Sequence, residues 1–527
     1  MGLFRPSLPC VWLIVLAGAG LPSAGFAEAS QRLVFGSFGQ PTNAERWAVN
    51  VGVELDVATE VQERGDADDP LFRVVTSPLD EDELPRVRRR AREAGLEFWR
   101  LTDSQAEVSA AVHPEGRALP DYVKVHERAL AARRERSREL DVDLGFQTRS
   151  YRRGGLDGQS SFQPSASAMF RYRRYFDDDR NSFTARPFAR LDKEDSNRTH
   201  ADLRELFVRH TGDDWDVSAG FQQVFWGVTE FYHLVDVINQ TDLVENIDGE
   251  DKLGQPMINL SLVRDWGILD FYAMTGFRER TYPSDDGRLR HQLPVDDSLA
   301  TYESGDKEWH VDGAIRWSHH LGPVEFGIYH FYGTNRQPEL RPYERASGEW
   351  VLQPHYALMD QTALDAQAIV GDYLLKLETL TRSSQGQRYA AATGGFERTV
   401  VGAFGTRADL GLIMEYMYDD RGDDATTVFE HDLAVGARWR WNDIADTHVL
   451  FGVIWDVQTE EYIFKLEGGR RLGNDWQLYV QGRVFGGGYQ PPTEPIEAVL
   501  ASMLDTQNKL GGLQRDDFLQ IELTRFF

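Results

Sequence analysis

The chain has 527 residues, with 57 Lys+Arg against 84 Asp+Glu and a formal net charge of −27. So acidic a surface excludes general nucleic-acid binding, which needs a basic face, and suits a solvated rim. Aromatic residues reach 12%, with 13 Trp and 19 Tyr, yet mean hydropathy is polar; transmembrane barrels and β-rich soluble proteins share that profile.

The first 27 residues read as a secretory signal. Arg5 gives the positive start, Val11 to Leu21 a short apolar core, and small residues place cleavage after Ala27 or Ala29. The apolar run is too short for a transmembrane helix. Cys10, the single cysteine, lies inside it, so the mature chain is expected to hold no disulfide and no thiolate metal site.

Residues 31–102 read as a small α/β domain. Leu33-Val-Phe-Gly-Ser-Phe38 and Leu71-Phe-Arg-Val-Val-Thr-Ser-Pro78 suit strands, as does Phe98-Trp-Arg-Leu101. Asn43-Ala-Glu-Arg-Trp47 opens a first helix and Asp80 to Gly95 covers a second. Together these stretches resemble the SPOR family of peptidoglycan-binding domains, which implies a βαββαβ sheet. Val34 stands where a polar residue is common in that family, and Ser77 where a glycine is expected. The resemblance implies a peptidoglycan-binding face at Ser37, Leu71, Arg73 and Trp99. The residues suit it: an indole covers the apolar face of a sugar ring, and a guanidinium offers a planar fork of donors. The plain alternatives are a turn serine, a surface arginine and a half-buried tryptophan. Phe35, Phe72 and Val74 fall on the opposite, core-facing side, while Val34 shares the proposed open face.

Residues 103–139 form a polar linker ending in a charged, helical run from Tyr122 to Glu139. From 140 to 527 the dominant signal is period-two alternation, which puts successive side chains on opposite faces of a strand. Leu140, Val142, Leu144 and Phe146 alternate with Asp141, Asp143, Gly145 and Gln147. The pattern recurs to Leu519, Ile521 and Leu523. About 18 such segments of roughly ten residues fit tilted bilayer-crossing strands. Short turns near 177–179, 212–214, 264–267, 320–322, 370–372, 442–446 and 472–475 alternate with longer links near 225–256, 278–308, 333–361 and 485–516. That arrangement predicts a mainly β protein, an antiparallel transmembrane barrel with its small domain and both chain ends on the short-turn, periplasmic side. The last stretch, Asp517 to Phe527, resembles the C-terminal strand of outer-membrane proteins, which implies recognition by the barrel-assembly machinery. Arg525 interrupts its outward apolar row.

With apolar partners facing lipid, Arg171, Arg173, Arg186, Arg190, Arg316, Arg438 and Arg440 are expected to line the lumen, as are Arg149, Arg278 and Arg483. Clustered cations favour anionic solutes; the competing reading is that arginines and acids pair to fill the interior. The third long loop, Gly227 to Pro256, carries Glu230-Phe-Tyr-His-Leu-Val-Asp-Val-Ile-Asn239 and five further acids. Its apolar content suggests that part of it packs inside, and porins, which the barrel resembles in size, commonly narrow their channel with this loop; the competing reading is an external surface loop.

Phosphate-loop, zinc-protease and serine-hydrolase motifs are absent. The expectation is therefore a non-enzyme with no cofactor and no metal. It is an outer-membrane protein gripping peptidoglycan glycan strands from the periplasm, anchored by a porin-like barrel among outer-membrane lipid. The alternative is a diffusion or export channel for anionic solutes or polysaccharide, with the small domain only structural.

Overall fold

The computed structural model describes residues 32–38, 41–66, 69–79, 83–94, 96, 99–101, 138–177, 180–503 and 505–527. The signal segment and nearly all of the linker lie outside the described residues. Arg138 and Glu139, expected to end a helix, instead begin the first barrel strand. The reason is local: Arg138 pairs with Arg174 and Glu139 with Arg173 on the neighbouring strand, which extends the alternation beginning at Leu140.

The N-terminal elements are β1 (Arg32–Phe38), α1 (Pro41–Leu55), β2 (Thr59–Asp66), β3 (Asp69–Thr76), α2 (Glu83–Glu93) and β4 (Trp99–Leu101). The strands form one antiparallel sheet in the order β2-β3-β1-β4. Gly36, at φ 141°, sits within a bulge between Val34 and Ser37.

The second unit is a barrel. Its strands are β5 (Arg138–Tyr151), β6 (Phe162–Phe176), β7 (Asn181–Asp192), β8 (His200–Thr211), β9 (Trp215–Gln222), β10 (Gln255–Arg264) and β11 (Gly267–Met274). They continue through β13 (Asp312–Leu321), β14 (Val324–Thr334), β17 (Leu358–Val370), β18 (Tyr373–Ser384), β19 (Gln387–Val400) and β20 (Asp409–Asp419). The last are β21 (His431–Arg440), β22 (His448–Asp456), β23 (Tyr462–Leu472), β24 (Trp476–Gly486) and β25 (Phe518–Phe526). These 18 strands pair antiparallel, each with its sequence neighbour in the wall, and β25 closes on β5. Closure leaves no unpaired edge.

Alternation sorts the faces as expected. Leu140, Phe146, Leu191, Val208, Ile258, Leu412, Val435 and Ile521 are exposed on the outside. Gln147, Ser165, Gln361, Glu378 and Gln481 are buried within. Arg525 on the outer row lays its guanidinium over the Trp476 and Phe527 rings, 5.5 and 4.4 Å from their centroids. That cation–π packing accommodates a charge among apolar neighbours.

The short turns fall at the end of the barrel where β5 begins and β25 finishes, and long connections span 223–254, 275–311, 335–357 and 487–517 at the other. The hairpin at 385–386 is a short exception on the long side. Three of the long connections fold together. A three-stranded sheet of β12 (Thr301–Tyr302), β16 (Trp350–Tyr356) and β15 (Glu339–Glu344) joins 275–311 to 335–357. Leu293 and Leu352 then bury against Val499 of α3 (Ile496–Met503) in 487–517, with Trp350 and Ile496 at the margin. The result is a cap with its own apolar core.

Candidate functional site

The third loop, 223–254, runs inside the barrel. Its apolar residues find an apolar stretch of inner wall. Trp226, Leu234, Val235, Val237 and Ile238 pack with Tyr329, Phe331, Met359 and Leu380. Phe231 packs separately against Ile413, Met417, Ala434, Leu450 and Ile454. Beneath the Phe231 ring lie Gly436 and Gly452, which are directly paired across β21 and β22. A Cβ on either would stand 2.6 Å from that ring, so glycine there makes the notch that seats it.

Two wall carboxylates hold the loop backbone. Glu378, fully buried on β18, accepts from the N–H of Val228 (2.7 Å), of Thr229 (2.9 Å) and of Val235 (3.1 Å), and from the Thr229 hydroxyl (2.6 Å). Glu415 on β20 accepts from the N–H of Glu230 (2.7 Å) and Phe231 (3.0 Å). Hydrogen bonds to an ionised acceptor are stronger than neutral ones. Gly227, at φ 142°, lets the chain pass close to Glu378; a Cβ would lie 2.9 Å from its Oε1. Tyr329 donates to the Val235 carbonyl.

The far end of the loop meets the opposite wall through charge. Glu245 is buried between Arg190 (2.8 Å) and His200 (2.8 Å), and its carbonyl accepts from Arg149 (2.6 Å). Arg204 reaches Asp242 (2.6 Å), and Arg483 reaches Asp248 (3.3 Å). Arg204 is the extra residue of a bulge: Arg186 pairs with Glu205 while Pro187 pairs with Leu203. Burial works against the Glu245 charge, but Arg190, His200 and Arg198 outweigh it and hold its carboxyl well below the usual range. The depressed folded value means this stabilisation is full above the ordinary carboxylate pKa and fades as pH falls toward the folded one. Glu245→Gln removes the charge facing buried Arg190. The expected cost is about 3–5 kcal/mol, read as a lower urea midpoint for the refolded barrel at pH 7.

The lumen arginines named from sequence are mostly paired. Arg171 meets Asp143 (2.5 Å), Arg186 meets Glu205 (3.3 Å), and Arg316 grips Asp365 through two bonds of 2.6 and 2.9 Å. Arg438 meets Glu397 (3.1 Å) and Glu230 on the loop. Arg173 is half-buried on the inward row of β6, and Arg440 is exposed near the short-turn rim. Arg278 is not on a strand; it reaches Asp202 (2.6 Å) from the 275–311 connection. Arg149, Arg280 and Arg382 instead bond neutral acceptors: Gln520 and the Glu245 carbonyl, Gln240, and Gln361. Sequence reasoning did not single out Glu378, Arg280 or Arg382. An acid at the centre of an inward row was the available sign for Glu378.

In the small sheet, register puts Ser37 beside Arg73 and Trp99 beside Val34. The side chains of Ser37, Leu71 and Trp99 lie outside the described residues, and Arg73 is half-buried. One expectation is corrected. Val34, assigned to an open face, is fully buried and packs with equally buried Val75. Two aliphatic side chains meeting across the β1–β3 pair close the middle of that face.

No family model and no curated protein matches the chain. Among solved structures it is similar to Pseudomonas putida OprB at 11% identity, over 77% of this chain and 97% of that one, with a TM-score of 0.36. Acinetobacter baumannii OccAB1 gives 9% identity, 74% and 95% coverage, and a TM-score of 0.42. Wzi, an outer membrane protein involved in group 1 capsule assembly in Escherichia coli and a carbohydrate-binding β-barrel, gives 8%, 92%, 97% and 0.44. These similarities transfer no residue role.

Proposed function

We propose that the chain is an outer-membrane channel whose third loop narrows the lumen and sets what passes. The observation that carries this reading is a loop pinned inside a closed barrel, by carboxylates on one wall and arginines on the other. An apolar outer belt with every strand paired is what a bilayer-spanning barrel requires. A small anionic solute is the favoured cargo. Arg149, Arg280 and Arg382 bond neutral acceptors, which leaves their charge to attract one. Purified protein in a planar bilayer is expected to give small, discrete conductance steps. Under a salt gradient the reversal potential should favour anions, and R382Q should move it toward zero. Absence of steps in correctly folded protein would overturn the channel, and cation preference would overturn the cargo.

A second reading is wall attachment through the N-terminal module. It is supported by the β-α-β-β-α-β element order, the one the SPOR resemblance implies, and by Ser37 and Arg73 standing side by side. Detergent-solubilised full-length protein should then co-sediment with peptidoglycan sacculi, and R73A should lose most of that retention. Equal retention of both forms would remove Arg73 from the account; none at all would remove the reading.

A further inference from the structure

Between the third loop and the outer-loop cap lies a cavity of about 520 Å³. Its size falls within the roughly 300–1,000 Å³ range of small-molecule sites. Phe231 and Ile247 of the third loop bound it on one side, and Leu289, Phe429, Phe485 and Met503 on others. Four separate connections therefore contribute apolar surface to one space, with Phe485 of β24 beside them.

The lysines and arginines on this wall are already answered. Arg483 lies 2.5 Å from Glu467 and 3.3 Å from Asp248, and Lys465 lies 3.8 Å from Glu467. Lys509 lies 2.7 Å from Glu430, and Arg290 lies 2.5 Å from Asp157. Asp505 accepts from the Gln507 N–H and the Asn508 amide. His291 also lines the cavity. Its surface opens to the cavity, but the surrounding protein desolvates the ring, and Arg280 and Arg290 add to the effect. Its pKa is pushed down to about 4. At neutral pH the ring is uncharged and can donate one hydrogen bond and accept another. An incoming anion would give up hydration without meeting an unpaired cation, which is costly.

We propose that this cavity is a binding site for an uncharged, mostly apolar ring compound with one hydrogen-bonding group, held by the aromatic walls and by His291. The ligand is distinct from the permeating solute. It would sit above the constriction, and its binding is read at equilibrium whether or not the barrel conducts.

Equilibrium dialysis of the full chain in lipid nanodiscs, against protein-free nanodiscs, tests the site with 2-naphthol and its anionic analogue 2-naphthoate at neutral pH. The expected result is saturable uptake of one 2-naphthol per chain, with 2-naphthoate at least tenfold weaker. Met503→Trp, which fills the cavity from the cap, should weaken 2-naphthol at least tenfold. Leu513→Trp, on a separate part of the wall, should do the same if M503W fails to fold. Uptake equal to protein-free nanodiscs, naphthoate binding as tightly as naphthol, or full binding by a correctly folded tryptophan variant would each overturn the proposal.

Discussion

Glu378→Ala is expected to raise single-channel conductance at least twofold and to make the open level noisy. The substitution leaves four donors of the third loop facing a dry wall: three backbone N–H groups and the Thr229 hydroxyl. Bonds to a charged group contribute about 1.5–3 kcal/mol each, and an abandoned buried donor costs about 1–3 kcal/mol more. Restoring water to those groups requires the loop to leave the wall, and a loop that leaves widens the lumen. Glu378→Gln keeps a carbonyl acceptor and should fall between the two. The same variants should become sensitive to limited proteolysis between Phe225 and Glu250 while the barrel itself stays resistant. Unchanged conductance together with unchanged proteolysis would show that this carboxylate does not fasten the loop.

The second large effect concerns the notch under Phe231. Gly452→Val should lower the urea midpoint of the barrel and loosen the loop, because its side chain would meet the Phe231 ring and the Val435 carbonyl. Overpacking costs about 1–3 kcal/mol. Phe231→Ala alone empties a buried site, at a cost of about 3–5 kcal/mol. The double variant should be more stable than the sum of the single losses, since each removes the other's clash or void. Simple additivity in that cycle would mean that the ring and the glycine pair do not act on each other.

The barrel was legible because its signal is local. A period of two needs only neighbouring residues, and Leu140 to Gln147 already declares which face is which. The third loop was only half legible: Phe231, Leu234, Val235, Val237 and Ile238 marked it as unusually apolar, but an external surface loop stayed open until the inner wall was seen. Its fastening was not legible. Glu378 lies 150 positions from Val228, and nothing in Leu377-Glu-Thr379 separates an anchor from any other lumen acid. The paired arginines posed the same difficulty: alternation aimed Arg190 and Arg316 inward, but only register and loop path brought Glu245 and Asp365 to them. In the small sheet, parity correctly grouped Val34 with Arg73 and Trp99. Whether that group faces water depends on what covers it, and the buried Val34–Val75 contact was beyond the reach of parity.

The apolar inner wall has a consequence for assembly. Along β20 to β22, Ile413, Met417, Ala434, Leu450 and Ile454 point inward while Leu412, Met414, Val435 and Phe451 point outward. Apolar side chains therefore stand on both faces of these strands, and Glu415, Asp432 and Arg438 in the inward row are the groups that a slip of one residue would turn toward lipid. The third loop adds to that difference by offering the inner face a protein partner and leaving the other to lipid. Its residues precede these strands in the chain, so it is already synthesised when they pair, and the β5–β25 seam can close around it. Through Phe231 and its apolar contacts on the inner wall, the loop is thus placed to favour this register as the strands pair.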